Sequence, residues 1–460
     1  MEISENRFSG LFKRAFISLS IIIFFISFNF KDTPPPFGWY QQFLPNLNGR
    51  NVTDVFFLDS LNGYAVTNSN GQYDTAFILK TTNGGDNWFL NYSRTAWYTG
   101  FNKIRFINLN TGFVCGVSVS GGPKGLTKTT NGGLNWFDLN TPDPYLVYAD
   151  MSVLNADTIW LVASDSYSGG VFRTTNGGLS WTQQYSNGTE NPNKIYMFNA
   201  RIGFICNTLN GSGIKRTTNS GINWSMVISN EWFDDICFID SLTGWKLYGN
   251  NMYKTSNGGI NWITQYLPSG GNMLKQLIEF SNVNMDTIWC IGGAIIYSSS
   301  RIRGFLYRTT NGGNNWLFQI PDTTIHIPSY WNIKFVNKNI GWVYGVSSGI
   351  HTVTGGDTTF YTGVIQKSSE IPSQFILKQN HPNPFNPRTV IGYELKKAGD
   401  IKIKVYSITG SEVFTLVNQR QSAGVYEVDM PGIGLSSGVY FYRLVVDGVL
   451  IGSKIMVLIK

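Results

Sequence analysis

One octapeptide recurs six times, and no other feature of the chain constrains its fold as tightly. The copies are 81–88 (TTNGGDNW), 129–136 (TTNGGLNW), 174–181 (TTNGGLSW), 217–224 (TTNSGINW), 255–262 (TSNGGINW) and 309–316 (TTNGGNNW), spaced 38 to 54 residues apart. A period of that length suits a propeller blade of four short strands and is too long for leucine-rich or ankyrin units. The third residue of each copy (Asn83, Asn131, Asn176, Asn219, Asn257, Asn311) can bond the backbone ahead of it, and the glycines supply positive φ. The closing tryptophan (Trp88, Trp136, Trp181, Trp224, Trp262, Trp316) is expected to fold back over the turn and bury its ring between strands.

A second ladder runs in phase with the first. An aromatic follows a turn at Tyr64, Phe113, Trp160, Phe204, Trp245, Trp289 and Trp342, one copy more than the octapeptide. The seventh repeat has a decayed box over 352–360, so seven blades is the better count. In the first repeat, strand A is expected over 52–58, strand B from Tyr64, strand C over 76–80 and strand D over 88–92, with the octapeptide in the C–D hairpin. Residues 38–42 (GWYQQ) resemble a strand D with no hairpin of its own. Donated to the last blade, they would close the ring and remove its exposed edges. Charged residues at 14%, aromatics at 15% and 50 glycines agree with an all-β chain of many tight turns.

The boxes resemble the Asp-box, or bacterial neuraminidase repeat, S-x-D-x-G-x-T-W, with Asn in place of its Asp. The variant looks most like propellers related to the photosystem II assembly and stability factor. The resemblance covers about residues 37–366. In these families the box is structural and carries no activity.

After a polar linker at 367–373 the pattern changes. Strand-like runs at 390–395, 401–407, 412–416, 425–428, 439–446 and 454–459 argue a small β-sandwich. Residues 379–387 (QNHPNPFNP), 405–410 (VYSITG), 435–443 (LSSGVYFYR) and 454–460 (KIMVLIK) resemble the type A C-terminal sorting domain of the type IX secretion system. Its motif residues here are Asn380, Pro382, Asn383, Pro384, Phe385, Asn386 and Pro387. The resemblance implies handling by that secretion machinery in a Bacteroidetes-type bacterium, then release or surface attachment. An ordinary immunoglobulin-like accessory domain is the alternative.

At the other end, Lys13 and Arg14 precede an apolar run over 15–30, the layout of a secretory signal peptide at 1–31. An uncleaved anchor is the other reading of that run. Either way the bulk of the chain leaves the cytoplasm, by way of the periplasm, and the mature protein is expected to have no stable transmembrane segment. The expected architecture is therefore all-β: a seven-bladed β-propeller at 37–366, followed by a small immunoglobulin-like β-sandwich at 374–460.

Chemistry is harder to find. The net charge of +7 is spread thinly, with no basic run, so nucleic acid is not an expected partner. Cys115, Cys206, Cys237 and Cys290 show no C-x-x-C spacing, and His326, His351 and His381 form no metal motif; no metal or cofactor is expected. Sialidases need an early F/Y-R-I-P motif, whereas Arg301-Ile302-Arg303 lies in the sixth repeat and lacks the proline. Asp234 and Asp235 are candidate channel carboxylates, but adjacent strand residues point to opposite faces.

Besides Trp39 of the closing strand, three tryptophans belong to neither ladder: Trp97, Trp232 and Trp331 fall in expected D–A connections, opposite the box hairpins. The same connections hold Arg50, Tyr98, Tyr148 and Lys194. Amphipathic aromatics with a few basic groups suit a ligand site; rings that merely plug the channel are the alternative. The sequence therefore points to a non-catalytic, secreted or surface-attached propeller that binds an extracellular protein or polysaccharide. The alternative is a secreted glycoside hydrolase of sialidase-like or xyloglucanase-like type.

Overall fold

The computed structural model describes residues 38–460 apart from 98, 118–123, 144, 165–168, 187–191, 208–212, 266, 269–272, 299–300, 323, 358–363, 369, 387, 432–434 and 460. The signal-peptide reading of 1–31 and the last three residues of the seventh box lie outside the described residues. Among the described residues all regular structure is β, and no helix is long and apolar enough to cross a membrane.

Seven antiparallel sheets follow one another along the chain, each in the order A–B–C–D. Blade 1 consists of Val52–Phe57, Gly63–Thr67, Tyr73–Thr81 and Phe89–Trp97. Its strand A alternates buried and half-buried residues, while its strand B is buried throughout, as a strand covered on both faces must be. In blade 6 strand A is broken into Met273–Lys275 and Phe280–Asn282, both paired to the same strand B. Blade 7 takes its strands A to C from Asn332–Phe335, Gly341–Tyr344 and Ser348–Thr352, and its strand D from Tyr40–Phe43. The N-terminal strand thus closes the ring, and strand A of blade 7 packs beside strand A of blade 1. Trp39 anchors that seam, its Nε1 donating to Gln319 Oε1 of blade 6 at 2.8 Å and its ring edge-on to Trp289.

The octapeptide makes one hairpin six times. Thr81 Oγ1 accepts the Gly85 N–H at 2.9 Å, and Asn83 Oδ1 accepts the Asn87 N–H at 3.0 Å; the other five copies repeat both bonds. Gly84 and Gly85 sit at φ +70° and +88°, where a Cβ would be strained. The box tryptophan reaches farther than expected. Three of the six tie onto the preceding blade: Trp88 Nε1 donates to Tyr344 Oη, Trp136 Nε1 to Asn91 Oδ1 and Trp181 Nε1 to the Asn140 carbonyl, at 2.9–3.0 Å, while Trp262 Nε1 donates to the Gly259 carbonyl of its own box.

The strand-B aromatics are at most 1% exposed. In six blades a strand-C cation directly opposite covers the ring: Lys80 on Tyr64, Lys128 on Phe113, Arg173 on Trp160, Arg216 on Phe204, Lys254 on Trp245 and Arg308 on Trp289. Each cation stands 4.9–6.0 Å from the ring centroid, within range of a cation–π attraction. Several also cap the next blade's box, as when Lys80 Nζ donates to the Gly132 carbonyl at 2.7 Å. At the seam His351 takes this place, stacked on Trp342 at 4.6 Å; burial pulls its pKa down to about 4 and keeps the ring neutral. The donor that His351 does not supply comes from Gln42, whose Nε2 reaches the Gly84 carbonyl at 2.9 Å.

The C-terminal part is a sandwich of two four-stranded sheets around one apolar core, with Ile391, Tyr393 and Val428 on one side and Ile403, Val405 and Leu444 on the other. Val364–Ser368 belongs to it, pairing with Gly424–Pro431. This corrects the expected end of the propeller at 366 and the linker beginning at 367. The reason is topological: Tyr40–Phe43 already occupies the strand-D place in blade 7. A chain leaving the seventh box has no edge left there, and it pairs in the sandwich instead.

Candidate functional site

The inner strands A share one geometry but not one residue. At one equivalent position in each blade's inner segment, ten residues before the strand-B aromatic, stand Asp54, Lys103, Asp150, Lys194, Asp235, Glu279 and Asn332. In each of the first four blades a β-bulge precedes this residue, and bulges re-aim side chains. The acids act as latches between blades. Asp54 accepts the Ile104 N–H at 2.8 Å, Asp150 that of Ile195 at 3.0 Å, Asp235 that of Phe280 at 3.0 Å, and Glu279 that of Ile333 at 3.1 Å. Each bond satisfies a donor on the next blade's inner strand that would otherwise be buried unpaired.

These strands line a cavity of about 550 Å³. Its outer rim includes Asn51 and Trp331 from D–A connections and Val346 from a B–C turn; deeper lie Met151, Tyr196 and Met197. Lys103 and Arg105 both pair with Asp54, which is 1% exposed, and the Asp54 carboxyl stays below its ordinary range because those cations outweigh its burial. Asp235 and Glu279 have no such partner among the described residues. Burial raises Asp235 and pushes Glu279 up to about 7, with the facing Asp235 charge adding to the effect on Glu279. Lys194 has no hydrogen-bond or ion-pair partner among the described residues, and it also lines an adjoining hollow with Trp232 and Asp234.

Of the residues expected at a ligand site, Lys194 and Trp331 line the cavity, and Trp331 is 43% exposed. Trp232 lines the adjoining hollow, donating to Asp234 Oδ1 at 3.2 Å and meeting Tyr248 edge-on. Trp97 ends strand D of blade 1, not a D–A connection; it leans on Tyr73, 58% exposed and away from the cavity. Tyr148 is fully buried in strand A of blade 3, its hydroxyl donating to the Asp143 carbonyl at 2.8 Å. Arg50 is buried against Asp74 and the Leu47 carbonyl, so its charge holds the loop before strand A. Neither of these two is available to a ligand. Tyr98 lies outside the described residues.

Sequence reasoning missed Lys103, Arg105, Asp150 and Glu279, though a signal was there. Each residue at the equivalent inner position stands ten residues before its blade's strand-B aromatic, from Asp54 and Tyr64 to Asn332 and Trp342. Among the described residues no group of three or more His, Cys, Asp or Glu is placed to hold a metal. The four cysteines are free thiols.

In the sandwich, the expected sorting motif holds its segment to the last strand. Asn383 Oδ1 accepts the Val457 N–H at 2.9 Å, Phe385 is buried in the core, and buried Asn380 donates from its backbone to Tyr442 Oη at 2.8 Å. The Pro382 carbonyl accepts the Thr389 hydroxyl at 2.7 Å; Pro384 and Asn386 are exposed, and Pro387 lies outside the described residues.

Residues 380–458 match the family described as secretion system C-terminal sorting domain. No curated protein matches the chain. Among solved structures, one described as YCF48 bound to D1 peptide is similar at a TM-score of 0.51 and 18% identity, over 69% of this chain and 97% of that one. YCF48 from Cyanidioschyzon merolae gives 0.50 and 18%, over 68% and 98%. A GH74 enzyme from Niastella koreensis covers 88% of this chain and 83% of its own at 12% identity, but its TM-score of 0.38 is too low to inform. At such identities the likeness is one of fold. The chain is thus a β-propeller protein with a type IX sorting domain, secreted to the outer surface or the extracellular space.

Proposed function

We propose that the protein is a non-catalytic binding module that receives a segment of an extracellular polypeptide at the D–A mouth of its channel. The observation that carries this is the cavity itself. Its volume is that of a ligand pocket, it opens beside exposed Trp331, and it presents aromatic and apolar walls with a few charged groups. Three of its carboxylates are occupied as acceptors for the neighbouring blade, which suits a structural duty better than proton transfer. A propeller of this fold has also been solved with a peptide bound. The sorting domain would bring the module to the outside of the cell and would itself be handled by the secretion machinery.

A secreted glycoside hydrolase remains the second reading, favoured by one observation. Asp235 and Glu279 stand ten residues before the strand-B aromatics of adjacent blades, and a carboxyl titrating near 7 can serve as a general acid. One experiment separates the two: a panel of labelled synthetic peptides and a glycan array, each followed by mass analysis of the bound material. Peptide binding that weakens at least fivefold in Trp331→Ala supports the binding module. Cleavage of an arrayed glycan, lost in Glu279→Gln, would replace it with the hydrolase.

A further inference from the structure

Blade 7 differs from the other six in how its outer strand is held. In blades 1 to 6 the box hairpin joins strand D to strand C, whereas Tyr40–Phe43 is a separate stretch of chain at the sheet edge, paired to Ser348–Thr352. A strand with no covalent hairpin is where a ring of blades can open locally most easily. The side chain beneath that strand differs as well. In other blades the strand-C cation over the aromatic finds a box carbonyl: Lys80 donates to Gly132 at 2.7 Å, Lys254 to Gly312 at 2.9 Å and Arg308 to Gly355 at 3.2 Å. In blade 7 the place is taken by His351, directly opposite Tyr40. The matching carbonyl, that of Gly84, is already occupied by Gln42 Nε2 at 2.9 Å and Trp342 Nε1 at 2.7 Å.

The contacts of His351 suit a neutral ring only. Its Nδ1 accepts the Tyr40 hydroxyl at 2.6 Å and faces Gln42 Nε2, a second donor, at 3.3 Å. Its Nε2 is buried with no acceptor among the described residues. A proton added at Nδ1 makes that atom a donor; the Tyr40 hydroxyl can turn to accept from it, but the Gln42 amide nitrogen cannot. The ionisable groups around the ring are Tyr40, Tyr344 and Asp86. Burial raises both phenols, which stay neutral in acid. Asp86 accepts from Gln42 Nε2 at 3.0 Å and favours a cation, as does the face of Trp342, but burial outweighs both.

We propose that the seam is an acid-sensitive clasp: protonation of His351 releases the closing strand Tyr40–Phe43 from Ser348–Thr352 and opens the ring at blade 7, while the six hairpin-closed blades stay paired. In the closed ring His351 titrates near 4, below its ordinary 6.5. Its contribution to closure is therefore complete above about 6.5 and is lost as pH falls towards 4. Blade 7 also carries Trp331 and Val346 of the cavity rim, so the blade that acid loosens is one that shapes the mouth.

The test is hydrogen exchange of the full-length protein at pH 6.5 and pH 4.0, read by mass spectrometry with exchange times scaled for the intrinsic chemical rate. Protection over 40–43 and 348–352 is expected to fall at least about tenfold more than protection over the matching pair in blade 3, 182–185 and 170–174. His351→Gln, which keeps an acceptor and cannot titrate, should abolish the difference; Asp86→Asn should leave it in place. A parallel change in both blades overturns the proposal, and this comparison within the parent chain decides even where His351→Gln fails to fold. A seam-specific fall that survives His351→Gln, or that vanishes in Asp86→Asn, overturns it as well.

Discussion

The two ends of each inner blade follow opposite rules. At the box end the same residues recur with the same bonds: Thr81 to Gly85 and Asn83 to Asn87 have counterparts in five further blades. Along the channel the geometry recurs but the residue does not, and one position reads Asp, Lys, Asp, Lys, Asp, Glu and Asn around the ring. Where a repeat must fold, one solution is reused because every blade meets the same packing problem. Where the repeats face a shared space, sameness would place seven like charges around one channel, which Coulomb repulsion forbids. The variation solves that problem: Lys103 and Arg105 of blade 2 pair with Asp54 of blade 1, Lys194 stands on blade 4, and Asp235 and Glu279 on blades 5 and 6.

The comparison is most easily broken by a tryptophan from each rule. Trp160 is fully buried beneath Arg173 and packs with Met197 and Ile205 of the next blade. Trp160→Ala is expected to cost about 3–5 kcal/mol, as a core truncation whose cavity cannot collapse. Trp331→Ala, at an exposed rim, should shift stability by less than about 0.5 kcal/mol. Chemical denaturation of both variants checks this. A large loss at Trp331 would mean that the ring is plugging the channel and that the mouth is core after all.

A smaller, pH-dependent effect probes the acidic wall. A carboxyl whose pKa is raised on folding contributes fully below its unfolded value, here 4.5, and that contribution is lost as pH climbs through about 7. Glu279→Gln keeps an oxygen for the Ile333 N–H and removes the ionisation. Relative to the parent chain it should gain about 3 kcal/mol at pH 8 and almost nothing near pH 4.5. Melting curves at the two pH values read the difference. A pH-independent offset would show that Glu279 ionises freely.

Much of this was legible in the sequence. The blade count, the closing strand and the box turn all rest on local patterns that a repeat cannot hide: a fixed period, an orphan Trp39-Tyr40 pair, and an Asn–Gly turn. The channel was not legible by the same means, because a position that alternates Asp54, Lys103 and Asp150 looks like ordinary surface variation until the strand-B aromatics are used as a ruler. Two site residues were misplaced for a related reason. Tyr148 lies at the bulge of strand A in blade 3, where one residue of shift reverses which face is buried, and Arg50 is drawn in by Asp74 and the Leu47 carbonyl, partners that no local pattern announces. The end of the propeller was misjudged because 364–368 reads as a strand, and nothing local says which sheet it will join.

The smallest effect is the sharpest test of the box rule. If the hairpin needs only an acceptor at its third position, a change from Asn to Asp should be nearly silent. Asn131 Oδ1 accepts the Thr129 hydroxyl at 3.1 Å and the Asn135 N–H at 2.9 Å, and an Asp carboxylate can accept both. Asn131→Asp is therefore expected to stay within about 0.5 kcal/mol of the parent, while Asn131→Ala, which orphans both donors, should cost about 1 kcal/mol. Measured side by side in blade 2, the pair isolates acceptor capacity from charge. If Asp proves as damaging as Ala, the amide nitrogen has a role that these two bonds do not account for, and the constancy of Asn through six boxes would then follow from that role.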